Sequence, residues 1–152
     1  MPSPADSDKR LAAARNLAEG RTTLKEFRGY SDEALRAVAK QGIVLFQQGK
    51  TAEARTLFQG LMAVNPRDAY FARLLGVAEC AAGNLEGALA AFDLSLKLEG
   101  EEPGGYVGRA EVLLVMGQRA RAVEDLKRAA SLPGDSRLRS KAQAMLKGLR
   151  RR

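Results

Sequence analysis

"LRAVAKQGIVLFQQGKTAEARTLFQGLMAVNPRD", residues 35–68, decides the fold, because the two segments after it repeat its rhythm without a gap. "AYFARLLGVAECAAGNLEGALAAFDLSLKLEGEE" spans 69–102 and "PGGYVGRAEVLLVMGQRARAVEDLKRAASLPGDS" spans 103–136, so the period is 34 residues. Such a period marks stacked helical hairpins, each unit burying its apolar face against the next. Gly49, Gly83 and Gly117 share one phase, where a helix ends and the chain turns with positive φ. Five residues later stand Ala54, Ala88 and Ala122, small enough to let two helices approach closely. Phe58, Phe92 and Leu126 follow one helical turn further on, on the same face, where a large side chain fills the gap between helices. Gly42, Gly76 and Ala110 form a second close-contact phase, and Pro66, Gly100 and Gly134 break the second helix of each unit.

This pattern resembles the tetratricopeptide repeat. The resemblance implies an all-α solenoid of three helix-turn-helix repeats, with first helices lining a concave groove and second helices on the convex side. The expected helices run at 32–48 and 51–64, 68–82 and 85–98, and 104–116 and 119–131, with fraying at Gly104–Gly105. "DSRLRSKAQAMLKGLRRR" carries Leu138, Met145, Leu146 and Leu149 at helical spacing, which suits a C-terminal solvating helix over the last repeat. A short N-terminal helix is expected over 8–19. The chain therefore divides into an N-terminal arm and lead-in, 1–30, and a repeat domain, 31–152, with repeats 35–68, 69–102 and 103–136 and a capping helix at 137–150.

Composition narrows the chemistry. The 152 residues contain no histidine and one cysteine, Cys80. The commonest general base and metal ligand are thus missing, and one thiol builds neither an internal disulfide nor a thiolate metal site. No enzymatic activity, cofactor or metal is expected. No run of eighteen apolar residues provides a membrane span, and the N-terminus lacks the apolar core of a cleaved signal. The net charge of +7 is concentrated at one end. From Arg119 onward there are 11 Lys and Arg against 3 Asp and Glu, a net +8; the preceding residues hold 14 against 15, a net −1. Without tryptophan or a recognition motif this basic end reads as a solvated helix face, and no nucleic-acid partner is expected.

In tetratricopeptide arrays positions 2, 5, 9 and 12 of each repeat usually face the groove. On that basis Arg36, Ile43, Phe46, Tyr70, Arg73, Val77, Cys80, Val107, Glu111 and Leu114 are the candidate peptide-binding residues. Ile43, Phe46, Val77, Cys80, Val107 and Leu114 make an apolar stripe, with Arg73 and Glu111 as polar handles, a surface that favours an extended peptide with hydrophobic anchors. Ala39, Ile43, Gly104 and Gly108 stand where a carboxylate clamp for chaperone C-termini needs Lys, Asn and Arg, so that mode is not expected.

Ahead of the repeats, "GRTTLKEFRGYSDEAL", residues 20–35, breaks their rhythm. Ser31 is placed to cap the first repeat helix, with Asp32 and Glu33 in its first turn. Thr23, Leu24, Lys25, Gly29, Tyr30, Ser31, Asp32 and Glu33 are similar to the lead-in of class II chaperones of type III secretion. "FQQGK" at 46–50 and "EPGGYVGRAEVLLVMG" at 102–117 resemble further motifs of that family. The resemblance implies a bacterial cytoplasmic chaperone that holds hydrophobic translocator proteins before export. It implies a Pro- and Leu-containing client segment lying extended in the groove, Phe46 where a groove tyrosine is common, and a homodimer formed through the N-terminal arm. The repeats alone are equally the frame of a general tetratricopeptide scaffold or regulator of protein assembly.

Overall fold

The computed structural model describes residues 3–151 and is all-helical over them. The helices are α1 (Pro4–Ala18), α2 (Leu24–Arg28), α3 (Asp32–Gln47), α4 (Thr51–Val64), α5 (Ala69–Ala81), α6 (Leu85–Leu98), α7 (Pro103–Val115), α8 (Arg119–Ser131) and α9 (Ser136–Arg150). From α3 onward each helix packs on the next; α5 also touches α7, and α7 touches α9. The result is two layers, with α3, α5 and α7 inside and α4, α6 and α8 outside, and α9 covering the last pair.

The repeat phases account for this packing. Gly49, Gly83 and Gly117 turn the chain at φ +80°, +82° and +76°, a backbone that a Cβ disfavours. Ala54, Ala88 and Ala122 are fully buried, as is Leu126, and Phe58 and Phe92 are 2% exposed. A Cβ at Gly42 would come 2.4 Å from the Phe58 ring, and one at Gly76 2.9 Å from the Phe92 ring, so glycine lets each inner helix lie flat on an aromatic of the outer layer. Ala142, Met145, Leu146 and Leu149 of α9 close the apolar cluster formed by α7 and α8, the covering role expected of the C-terminal helix.

Polar staples link successive helices. Arg109 on α7 binds Asp125 on α8 through two bonds of 2.7 Å and Asp93 on α6 through one of 3.0 Å. Its hydrogen bonds to Asp125 above all hold the guanidinium higher than the usual arginine range, against the opposing effect of burial. Glu79 on α5, 5% exposed, accepts from Arg55 of α4 at 2.9 Å and from Asn84 at 2.8 Å. Burial alone raises a carboxyl pKa, but these bonds outweigh it and leave Glu79 below the ordinary glutamate value.

Three local expectations change. The N-terminal helix starts at Pro4 rather than at residue 8, because Ser3 and Asp6 form a reciprocal capping box with Pro4 in the first turn. The lead-in contains a helix of its own, α2: Thr23 accepts from the Glu26 amide, the Glu26 carboxylate accepts from Thr23, and Gly29 ends the turn at φ +71°. The fraying expected at Gly104–Gly105 is absent, since α7 begins at Pro103 with Glu102 as its cap. Gly105 is needed for packing: a Cβ there would lie 2.7 Å from Leu96. Ser31 caps α3 as expected, by accepting from the Ala34 amide at 3.0 Å.

Candidate functional site

The concave face is built from α3, α5 and α7, whose outward positions recur every three or four residues. Between α3 and α5 lies a hollow of about 330 Å³, with Ile43, Phe46 and Gln47 on one side, Leu74 and Val77 on the other, and Phe58 beneath. Between α5 and α7 lies a second, of about 240 Å³, with Arg73, Leu74 and Val77 facing Gly104, Val107, Gly108 and Glu111. Val77, Cys80, Ala81, Gly108 and Glu111 enclose a third of about 200 Å³. Val77 borders all three and is 43% exposed, so the hollows form one continuous row with an apolar ridge at its centre.

Gly108 makes this row possible. A Cβ there would come 2.3 Å from the Phe92 ring. The ring therefore lies directly against the α7 backbone, and Phe92 becomes the floor of the second and third hollows. A helix of ordinary residues would stand further off and fill the row with its own side chains.

Seven of the ten sequence-predicted residues border these three hollows: Ile43, Phe46, Arg73, Val77, Cys80, Val107 and Glu111. Leu114 instead borders a separate hollow of about 210 Å³ with Met145, Gly148 and Leu149 of α9. Arg36 and Tyr70 line none of these hollows, but Tyr70 is in contact with Arg73, which does. The Arg36 and Arg73 guanidinium carbons lie 5.6 Å and 5.5 Å from the Tyr70 ring centroid, so one aromatic ring holds two cations. Val107 is only 2% exposed and serves as wall more than as contact.

The groove also has residues that the repeat phases did not single out. Leu74, Gln47 and the floor residue Phe92 line it, and α9 contributes Leu138 and Lys141 at its end. Lys141 Nζ pairs with Glu111 at 2.5 Å, so the covering helix reaches across to the groove wall. Leu138 belonged to an apolar spacing already legible in the sequence, but only the packing of α9 on α7 turns it toward the groove.

The chemistry of this surface is that of binding. Burial first, and the negative charge of Glu111 second, push the Cys80 thiol above its ordinary value, which keeps it protonated and poorly nucleophilic. Among the described residues no cluster of three or more His, Cys, Asp or Glu side chains is placed to hold a metal ion. No described helix is long and apolar enough to cross a membrane.

The lead-in is fastened to the body through outer helix α4 and the turn that follows it. Thr23 is 5% exposed. Arg67, in the turn between α4 and α5, donates to the Gly20 carbonyl at 2.7 Å, and Lys25 pairs with Asp32 at the start of α3. Beyond that anchorage α1 buries none of its side chains, and Leu11 is 62% exposed.

A family model described as tetratricopeptide repeat matches residues 9–61 and again 39–103. No curated protein matches the chain. Among solved structures, the type III secretion translocator chaperone SycD of Yersinia enterocolitica is 24% identical, with a TM-score of 0.78 over 84% of this chain and 98% of that one. SycD in complex with a peptide of the translocator YopD is 25% identical, with a TM-score of 0.71 over 79% of this chain and 95% of that one. PcrH of Pseudomonas aeruginosa in complex with the chaperone binding region of PopD is 27% identical, with a TM-score of 0.72 over 79% of this chain and 93% of that one.

Proposed function

The chain belongs to the tetratricopeptide-repeat family, and from that premise we propose that it is a chaperone of type III secretion whose concave groove holds an extended apolar segment of a translocator-type client. The observation that carries this reading is the continuous row of hollows from Ile43 and Phe46, across Val77, to Cys80 and Gly108. One protein of the same fold has been solved with a peptide of the translocator YopD and another with the chaperone binding region of PopD, which supports the choice of client class.

The groove suits a chain held by side chains more than a folded surface. Its hollows follow one another along the row, each of a size for one or two apolar side chains, and α3, α5 and α7 are fixed from behind by buried aromatics and ion pairs. Filling preformed hollows costs the chaperone little ordering; the client contributes most of the entropy cost, which keeps affinity moderate and release possible. Masking the apolar segment lowers the concentration of aggregation-prone free client by mass action, with no nucleotide and no covalent chemistry. In this reading the work is done in the bacterial cytoplasm, before export.

The ten groove residues named from sequence belong to the same proposal, with Ile43, Phe46, Val77 and Cys80 as anchor contacts. So does the division into an arm with lead-in, 1–30, and a repeat domain, 31–152. Homodimerisation through the arm is supported by the open flank of α1 and its exposed Leu11; a relative of the same fold is described as an alternative dimer.

Co-expression with the products of neighbouring genes tests the function. A secreted, membrane-active protein should stay soluble only with this chain and precipitate when it is omitted. Neighbouring genes without secretion components, together with no such dependent client, would sink the proposal.

A further inference from the structure

Among the described residues, the only buried side-chain nitrogen or oxygen without a hydrogen-bond partner is Nη1 of Arg73. Buried donors are normally paired, so this one needs an explanation. Arg73 lies in the wall of the hollow between α5 and α7, with Leu74 and Val77 beside it. Glu111 borders the same hollow, but its carboxylate is already bound to Lys141 at 2.5 Å. The lining thus holds two cations, Arg73 and Lys141, against the one carboxylate of Glu111; the Glu102 carboxylate that caps α7 stands close by without pairing with Arg73, and Arg36 shares the Tyr70 ring with Arg73. Gly104 lies beside the arginine stem, where a Cβ would stand 3.4 Å from Arg73 Cδ and Nε and 3.2 Å from Glu102 Oε1.

We propose that this hollow reads an acidic side chain of the bound segment: an aspartate or glutamate pairs with Arg73 while apolar neighbours in the segment fill the hollows at Ile43–Phe46 and Cys80–Gly108. This inference rests on the reading of the groove as a peptide site. Nη1 is walled off from water and unpaired, so a carboxylate that draws the guanidinium toward it relieves the cost of a buried unmade hydrogen bond. A backbone carbonyl satisfies a donor but leaves the excess charge; a carboxylate does both and matches the planar fork of arginine. Apolar hollows alone accept any greasy segment. The acid between the anchors supplies the discrimination that they lack.

The test is selection of a random-peptide display library on the full-length protein and on Arg73→Gln, followed by affinities of the best peptide and its Asp→Asn or Glu→Gln analogue. The wild type should enrich an acid at fixed spacing from apolar anchors and bind the amide analogue about tenfold more weakly. Arg73→Gln should enrich the anchors without the acid and bind both peptides alike, and Arg73→Lys should keep part of the preference. Thermal unfolding establishes that both variants are folded. An acid enriched equally by wild type and Arg73→Gln, or an amide analogue that the wild type binds as well as the acid, overturns the inference. Equal weakening of both peptides by Arg73→Gln also overturns it, by assigning Arg73 to packing on Tyr70. If the wild type selects no apolar-anchored peptide, the groove reading itself fails; anchors without an acid remove the present inference alone.

Discussion

Gly108 on α7 and Phe92 on α6 are in direct contact, and a Cβ at position 108 would lie 2.3 Å from the ring. The contact sets the spacing of the last two repeats and the depth of the groove between them. Gly108→Ala should therefore destabilise the fold by about 1–3 kcal/mol, since overpacking forces a buried ring to move. Phe92→Leu in the same chain should recover part of that loss. Urea unfolding of the two single variants and the double variant measures the coupling, and strict additivity would contradict the contact.

Arg109 is the staple that joins α6, α7 and α8. Arg109→Met leaves Asp125, 6% exposed, without its two charged bonds. Breaking one side of such a pair should cost about 3 kcal/mol. Arg109→Lys should recover little, because a point charge cannot make the paired 2.7 Å bonds to Asp125 and reach Asp93 as well. Thermal unfolding at neutral pH checks both.

Glu79 makes the stability of the fold sensitive to acid. Its folded pKa lies below the ordinary glutamate value of 4.5, so its contribution is present above that pH and is lost as pH falls through the folded value. Unfolding free energy should drop on acidification below about pH 4.5. In Glu79→Gln, which keeps partial hydrogen bonding without a titratable carboxyl, the drop should be smaller. An unchanged pH profile in the variant would contradict the role given to the Arg55–Glu79–Asn84 cluster.

The lead-in should open independently of the repeats. Thr23→Ala removes the cap of α2 and should cost about 1 kcal/mol locally. Hydrogen exchange should then quicken at residues 24–30 and stay unchanged across α5 to α8. Arg67→Ala, which frees the Gly20 carbonyl, should act in the same direction.

Much of this architecture was legible in the sequence because the repeat states each packing rule three times. The glycine turns, the buried alanines and the large residue one turn later recur in phase, and chance does not produce three such agreements. The helix limits at Thr51–Val64, Leu85–Leu98 and Arg119–Ser131 follow directly. Helix α2 was hidden because five residues carry no helical period, although Thr23 followed three residues later by Glu26 is a capping-box signal. Gly104 and Gly105 misled for a different reason: propensity counts their cost in an isolated helix, whereas here Gly105 admits Leu96. The part played in the groove by Phe92, Leu138 and Lys141 depends on how outer and covering helices pack, which spacing along the inner helices does not encode.

The central claim, that the groove of Ile43, Phe46 and Val77 holds the client, is tested most directly by the affinity of the co-purified client for groove variants. Phe46→Ala should weaken binding by about 1 kcal/mol or more, and Val77→Asp, which puts a charge on the central ridge, by more again. Leu98→Asp, at an exposed position at the end of outer helix α6, should bind as the wild type does. Unchanged affinity in Phe46→Ala and Val77→Asp, with both variants folded, would contradict the account.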